Sequence, residues 1–388
     1  VSVTAVNSHA AITAVILAAG LSERMGRFKP LLPLGTKRTI ERVVGLFQAV
    51  GIDDILVVAG HRAHEVCRAI EPLNIRAVIN PDYRHGMFTS VLTGIRELPD
   101  QCSAFFIHPV DIPLVRPQTV QHLTTAFEKK PATVLYPAFG GRRGHPTLIS
   151  ARLGPEILQW NGAGGLRACL QRHDANSLEV PVADEAVLLD LDTPVDYSRM
   201  QARLINEGVP SEAECRVLMD KIQDLPASIA IHSRAVSVVA QRLARALQMA
   251  GVALDLELVS TAALLHDISR TRKKDHADIG ADLLEYHGFA RLAPIVRAHM
   301  DLSLKSDSPV DEIQVVYLAD KLVLGDRRVD LEQRFARQME KYSEDHCIVE
   351  AIARRRQDAR HIRDRVERMT GRSIVAITGA PGPLNGEA

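Results

Sequence analysis

The sequence predicts an α/β domain with a mostly parallel sheet, followed by an all-α domain. Three observations predict it. From residue 12 to about residue 207, short apolar runs alternate with amphipathic stretches; after Glu207-Gly208-Val209-Pro210-Ser211 the strand-like alternation stops; and 388 residues, 46% of them hydrophobic, exceed one ordinary core. In the first half, strands are expected at 14–17, 55–59, 76–79, 104–108, 133–136 and 187–189, with helices at 39–50, 63–70, 89–98 and 118–127. Strands that alternate with helices form parallel sheets covered on both faces, and such sheets bind ligands at the carboxyl ends of their strands. Gly208 and Pro210 interrupt the pattern and Ser211 is suited to cap a new helix, so the boundary falls there. Helices then follow at about 212–224, 228–250, 255–269, 276–287, 291–300, 309–324, 329–341 and 344–370. The domains are thus 1–207 and 208–378, and 379–388, beginning Gly379-Ala380-Pro381-Gly382-Pro383, reads as a disordered tail.

Composition narrows the function. Lys plus Arg and Asp plus Glu both number 47, so no bulk charge draws the chain to nucleic acid or to an anionic membrane. Neither is expected as a partner. Cys67, Cys102, Cys169, Cys215 and Cys347 are scattered and form no CxxC pair, which suits free thiols in a reducing compartment. Residues 10–19 lack a basic leader and run into Gly20, so they read as a buried strand and not as a signal peptide. No apolar run approaches the roughly 20 residues of a membrane helix. A soluble, cytoplasmic enzyme is the expectation.

The sharpest signal is Leu17-Ala18-Ala19-Gly20-Leu21-Ser22-Glu23-Arg24-Met25-Gly26-Arg27-Phe28-Lys29. A strand feeding a turn of small residues brings backbone N–H groups close to a phosphate chain, and Arg24 and Lys29 add cations for the same phosphates. Arg27 and Phe28 separate Gly26 from Lys29, so this is not a Walker A loop. Four segments follow in order: Gly86-Met87-Phe88-Thr89-Ser90-Val91 with Gly94, opening a helix; Asp111-Ile112-Pro113; Gly141-Arg142-Arg143-Gly144-His145-Pro146; and Asp190-Leu191-Asp192-Thr193-Pro194. Singly, each has an ordinary explanation; Asp-Thr-Pro, for one, is a common way to start a helix.

Together the five segments resemble the molybdenum cofactor nucleotidyltransferase family, a Rossmann-like fold, and Leu-Ala-Ala-Gly looks like its cytidylyltransferase branch. The resemblance implies transfer of CMP from CTP to a phosphate acceptor with release of pyrophosphate, molybdopterin being the leading acceptor and a molybdoenzyme a possible recipient of the product. It implies Mg²⁺ on Asp111 and Asp192, and nucleotide contacts from Leu17, Ala18, Ala19, Gly20, Arg24, Lys29, Gly86 and Ser90. Gly144, His145, Pro146 and Arg167 would form the substrate loops. Nucleotidyl transfer is mainly a matter of positioning and charge neutralisation, so Lys29, Arg24, Asp111 and Asp192 would carry the catalysis without a nucleophilic side chain. One segment departs: Gly162-Ala163-Gly164-Gly165-Leu166-Arg167 keeps Arg167 but lacks the family's acidic residue. A sugar or alcohol phosphate therefore stays open as the acceptor.

The second half carries His232, His266-Asp267, His276, His299 and Asp320, several of them on apolar helices, where polar groups must be paired, protonated or bound to metal. Their order resembles the HD phosphohydrolase superfamily. That resemblance implies one metal on His232, His266, Asp267 and Asp320, and a second shared by Asp267 with His276 and His299. Asp267 would be catalytic through the metals, and Arg270 with Lys273 or Lys274 would meet substrate phosphate. Mixed imidazole and carboxylate ligands suit Mn²⁺, Fe²⁺, Co²⁺, Ni²⁺ or Zn²⁺. A nucleotide-binding regulatory module is the alternative for this half. Seven arginines between 353 and 369, interleaved with Asp358, Asp364 and Glu367, read as a solvated helix face.

Overall fold

Ile-Thr-Ala-Val-Ile-Leu-Ala, buried from Thr13 onward, forms the central strand β1 (Ile12–Ala18) of a computed structural model that describes residues 11–130, 132–272, 275–302 and 309–384. The other main strands of this sheet are β2 (Ile55–Ala59), β3 (Arg76–Ile79), β4 (Ala104–Pro109), β5 (Val134–Phe139), β6 (Thr147–Ser150) and β7 (Ser177–Pro181). Their order is β7-β5-β6-β4-β1-β2-β3, and Arg142–Arg143 pairs with β5 at the side. β6 runs against both neighbours; the other neighbouring pairs in this order are parallel. The chain leaves β1 towards β2 and β3 and returns on the far side as β4. A crevice therefore opens beyond the carboxyl ends of β1 and β4, the topological switch point where such sheets bind ligands.

Helices α1 (Thr39–Gln48), α2 (Ala63–Ile70), α3 (Met87–Arg96) and α4 (Pro117–Lys129) connect the strands. α3 lies close on the sheet because Gly94 lacks a side chain; a Cβ there would meet Val15 Cγ1 at 2.5 Å. Val91 and Ile95 of α3 pack into one buried cluster with Val15, Val58, Phe105 and Ile107.

Two strand expectations need correction. Residues 187–189 form no strand: Glu185–Leu188 is a 3₁₀ turn, although Val187 is buried as an apolar strand residue would be. The chain instead supplies β6 and the edge strand β7, each short and flanked or ended by proline, which masks the alternating pattern.

His108 on β4 is fully buried, its Nε2 2.9 Å from the Ile112 carbonyl and its ring edge-on to Phe47. Burial pushes its pKa down from the ordinary 6.5 to about 3. Between those values the unfolded chain binds a proton that the folded chain refuses. Stability from this group is therefore complete above pH 6.5 and falls as pH drops through that window, by about 1.4 kcal/mol per unit. Thermal melts between pH 7 and pH 3.5 should show this slope, and His108→Leu should remove its share; an unchanged slope in the variant would exclude His108 as the source.

The chain divides into two compact units between Glu207 and Gly208. In the second, Ser211 and Glu214 form a capping box at the start of Glu212–Val217, which continues into a π turn, Leu218–Ile222. The main helices are α5 (Ala227–Met249), α6 (Leu256–Leu265), α7 (His276–Tyr286), α8 (Ala293–Ala298), α9 (Glu312–Lys321), α10 (Leu331–Lys341) and α11 (His346–Thr370). α5 packs against α6, α9 and α11, and α9 is buried without a break from Gln314 to Lys321. The arginines of α11 pair mostly across to other elements: Arg356, Arg360 and Arg363 converge on Glu332 of α10, and Arg355 grips Asp301. The expected tail differs as well. Gly382–Pro383 pairs with Arg327–Arg328, and Leu384 N–H donates to the Asp326 carbonyl; residues 385–388 lie outside the described residues. All five cysteines are free, and among the described residues no helix is long and apolar enough to cross a membrane.

Candidate active sites

The loop after β1 bends through Ser22, whose φ is 61°, and Gly26, whose φ is 65°. The bend returns Lys29 to the crevice beyond β1 and β4, where Ser22 Oγ accepts its backbone N–H at 3.1 Å. Lys29 is buried, and its Nζ lies 2.7 Å from Asp192 Oδ1 and 3.2 Å from Asp111 Oδ2. Arg24, largely exposed, grips both oxygens of Asp192 at 2.9 and 3.0 Å. Two carboxylates from segments 81 residues apart are brought together because Leu191 N–H donates to the Asp111 carbonyl at 2.7 Å. Thr193 and Asp196 form the capping box of the next helix, Pro194–Ile205, and hold the Asp192 loop from the other side. Burial, then Asp111 and Asp192, raise the pKa of the neighbouring Asp190.

Two clefts meet at this crevice and share Leu17, Met87 and Pro109. The smaller, about 250 Å³, is bordered by Ala19, Gly20, Ser22, Lys29, Ser90 and Asp111. Ser90 is fixed there by Asn80, whose side-chain N–H groups donate to the Ser90 and Thr89 hydroxyls at 2.9 Å. Asn80 and Tyr83 were not singled out in the sequence. The larger, about 850 Å³, is bordered by Phe88, Tyr136, Gly144, His145 and Arg167, with Gly164, Gly165 and Leu166 of the departing segment. Gly144 is obligatory, since a Cβ would sit 2.5 Å from the Val187 carbonyl oxygen. The same carbonyl accepts His145 N–H at 2.9 Å, so the turn mistaken for a strand shapes the substrate loop. The His145–Pro146 bond is cis, and burial lowers the His145 pKa. Ala18 is buried within β1, and Gly86, with φ of 105°, opens α3 from an exposed position. Asp111 and Asp192 offer the hard oxygen donors that Mg²⁺ prefers, beside two cations that suit a phosphate chain.

In the second unit, α5 brings His232, the end of α6 His266 and Asp267, α7 His276, the end of α8 His299, and α9 Asp320. His266 Nδ1 lies 2.7 Å from the Ala263 carbonyl and His299 Nδ1 2.6 Å from that of Val296. A carbonyl only accepts, so Nδ1 carries the proton and Nε2 presents its lone pair to the centre, the tautomer a metal ligand needs. Burial pushes His266 down to about 4, which keeps the ring neutral near pH 7.

Asp267 joins two groups. Its Oδ1 lies 3.3 Å from both His276 Nε2 and His299 Nε2, and its Oδ2 lies 3.7 Å from His266 Nε2. Asp320 Oδ1 faces His232 Nε2 at 3.3 Å and His266 Nε2 at 3.8 Å. Burial opposes the charge on both carboxylates. For Asp320, Lys321 and Arg334 outweigh it and hold the carboxyl well below the usual carboxylate range. The atoms of His232, His266 and Asp267 lie within 4.8 Å of one another, as do those of Asp267, His276 and His299. Among the described residues, His266 Nε2 and Asp267 Oδ1 are buried acceptors with no hydrogen-bond partner. Such orphaned acceptors are costly unless a cation meets them, so this ligand set fits one or two divalent metals. A cleft of about 350 Å³ opens onto it.

The sequence reading missed Lys321, whose buried Nζ donates to Asp320 Oδ2 at 2.6 Å and to the His299 carbonyl at 2.9 Å, and Arg334, which binds the Asp320 carbonyl. The adjacent Asp-Lys pair inside an apolar helix was the available signal. Arg270 borders the cleft; Lys273 and Lys274 lie outside the described residues.

Each unit contains a match to a known domain family. Residues 14–177 match the MobA-like NTP transferase domain family and residues 229–325 the HD domain family. The molybdenum cofactor cytidylyltransferase of Escherichia coli strain K12 is 29% identical over 195 residues, 50% of this chain and 97% of that protein. The nicotine blue oxidoreductase of Paenarthrobacter nicotinovorans is also 29% identical, over 198 residues, 49% of this chain and 96% of that protein. A solved nucleotidyl transferase from Methanothermobacter is 28% identical and covers 50% of this chain and 98% of its own, with a TM-score of 0.45. The chain is an enzyme that joins a MobA-like NTP transferase domain at its N-terminus to an HD domain, of the metal-dependent hydrolase family, at its C-terminus.

Proposed function

We propose that the first unit transfers CMP from CTP to the terminal phosphate of the molybdenum cofactor, molybdopterin carrying molybdenum, releasing pyrophosphate, and that the second is a metal-dependent phosphohydrolase. The observation that carries the first reading is the arrangement of Lys29 and Arg24 over Asp111 and Asp192, with Lys29 and Asp111 at the wall of the smaller of two adjoining clefts. The smaller cleft would take the triphosphate. The larger would take the acceptor, and its volume of about 850 Å³ suits a sizeable small molecule. Mg²⁺ on Asp111 and Asp192 would neutralise phosphate charge. Lys29 and Arg24 would hold the pyrophosphate as it leaves, and Arg167 would meet the acceptor. Similarity to the E. coli cytidylyltransferase along nearly its full length supports the choice of CTP and cofactor.

In the second unit, His232, His266, Asp267 and Asp320 would hold one cation, and Asp267, His276 and His299 another. Bound metal supplies water activation and charge neutralisation at a phosphoester. The chain's part is to fix the imidazole tautomers through the Ala263 and Val296 carbonyls and to keep Asp320 ionised beside Lys321 and Arg334.

The test is pyrophosphate release from each of the four nucleoside triphosphates with Mg²⁺, with and without molybdenum-loaded molybdopterin. Release from CTP alone, and only with the cofactor present, is the expected result. Consumption of none of them overturns the acceptor assignment and directs the search to sugar and alcohol phosphates.

A further inference from the structure

The two metal positions are not equally open. Arg270 Nη1 lies 2.9 Å from His276 Nε2, and Arg270 Nε lies 3.9 Å from Asp267 Oδ2. A guanidinium has five donors and no acceptor and stays charged at any working pH. It therefore donates into the His276 lone pair that a second cation would require, and its charge repels that cation from a few ångströms away. At the first position the cations sit on carboxylate oxygens, Arg334 Nη2 3.8 Å from Asp320 Oδ1 and Lys321 Nζ 2.6 Å from Oδ2, and a carboxylate oxygen keeps a further lone pair for a metal where an imidazole nitrogen has only one. Arg270 also has open space beside it. It follows α6 in a turn, its side chain is 48% exposed, and it borders the cleft in front of the metal ligands.

We propose that Arg270 keeps the second metal position, Asp267-His276-His299, closed until its side chain swings into the cleft, so that the two positions fill in order. Loading the second ion and presenting Arg270 to a substrate phosphate are then one event. This rests on the reading of the cluster as a metal site.

The test is equilibrium binding of Mn²⁺ to the metal-stripped full chain, followed by calorimetry and electron paramagnetic resonance, with no substrate present and with Asp111→Ala and Asp192→Ala in every sample, the one called wild type included, so that only the second unit's ions are counted. Wild type should bind one ion tightly and a second at least about tenfold more weakly. Arg270→Ala should tighten the second ion by about tenfold or more, a modest share of the repulsion between a unit charge and a divalent ion at this range, and tighten the first by clearly less, because only the second regains a ligand lone pair. The spectrum of a spin-coupled Mn²⁺ pair should then appear at lower added metal. His276→Ala should remove the second ion in both backgrounds. Unchanged or weaker second binding in Arg270→Ala overturns the proposal, as do two ions of equal affinity in wild type. Failure of wild type to bind Mn²⁺ at all overturns the metal reading itself, a result distinct from either.

Discussion

Asp267→Ala is expected to abolish Mn²⁺-dependent hydrolysis of a generic phosphodiester, bis(p-nitrophenyl) phosphate, and to strip the chain of its metals. No other single change in the second unit should cost as much. The reason lies in the two oxygens of this carboxylate: Oδ1 faces His276 and His299, and Oδ2 faces His266. His276→Ala removes a ligand from one group only, but Asp267→Ala removes one from both. Loss of a single electrostatic group in an active site already costs about 10²–10³ in rate, so a loss of more than about a thousandfold is expected here. Metal content by elemental analysis and turnover should fall together. Asp267→Asn separates charge from shape: the amide keeps the volume and loses the anion, and it should fail nearly as completely. An Asp267→Ala protein that retained its metals and most of its turnover would exclude the bridging role.

In the first unit, Asp111→Ala should lower triphosphate-dependent pyrophosphate release by about 10²–10³ while leaving the melting temperature nearly unchanged. Asp111 touches Lys29 through its side chain but holds the Asp192 loop through its backbone carbonyl, which accepts from Leu191 N–H. Alanine keeps that carbonyl and loses only the carboxylate. Asp192→Ala should be at least as damaging, because it releases Arg24 and removes the shorter of Lys29's two carboxylate contacts. Calorimetry on each variant distinguishes lost chemistry from lost fold. Full pyrophosphate release by Asp111→Ala would place the metal elsewhere.

Much of this site was legible because its chemistry is local. Leu17 to Lys29 is a strand, a turn and two cations in one stretch, and the structure places Lys29 on both expected carboxylates. The five second-unit segments were legible for another reason: histidines and carboxylates on apolar helices demand partners, and the structure makes them each other's partners. The helices of that unit also followed from the sequence, since their 3.6-residue period is a local property.

The sequence by itself determined the change from alternating strands and helices to helices alone, and the residue types available to bind phosphate and metal. Only the tertiary structure decided which short apolar runs become strands. Val187 is buried without pairing in the sheet, whereas Thr147–Ser150 pairs with β4 and β5 on either side. Burial alone does not make a strand; hydrogen-bonding neighbours do, and those come from segments distant in sequence. The same holds for side chains. Nothing local to Arg270 says that it donates to His276 rather than reaching solvent, and nothing local to Val187 says that its carbonyl holds His145 and excludes a side chain at position 144. Such contacts follow from how helices and turns stack against one another, a long-range outcome that a single segment's pattern does not encode.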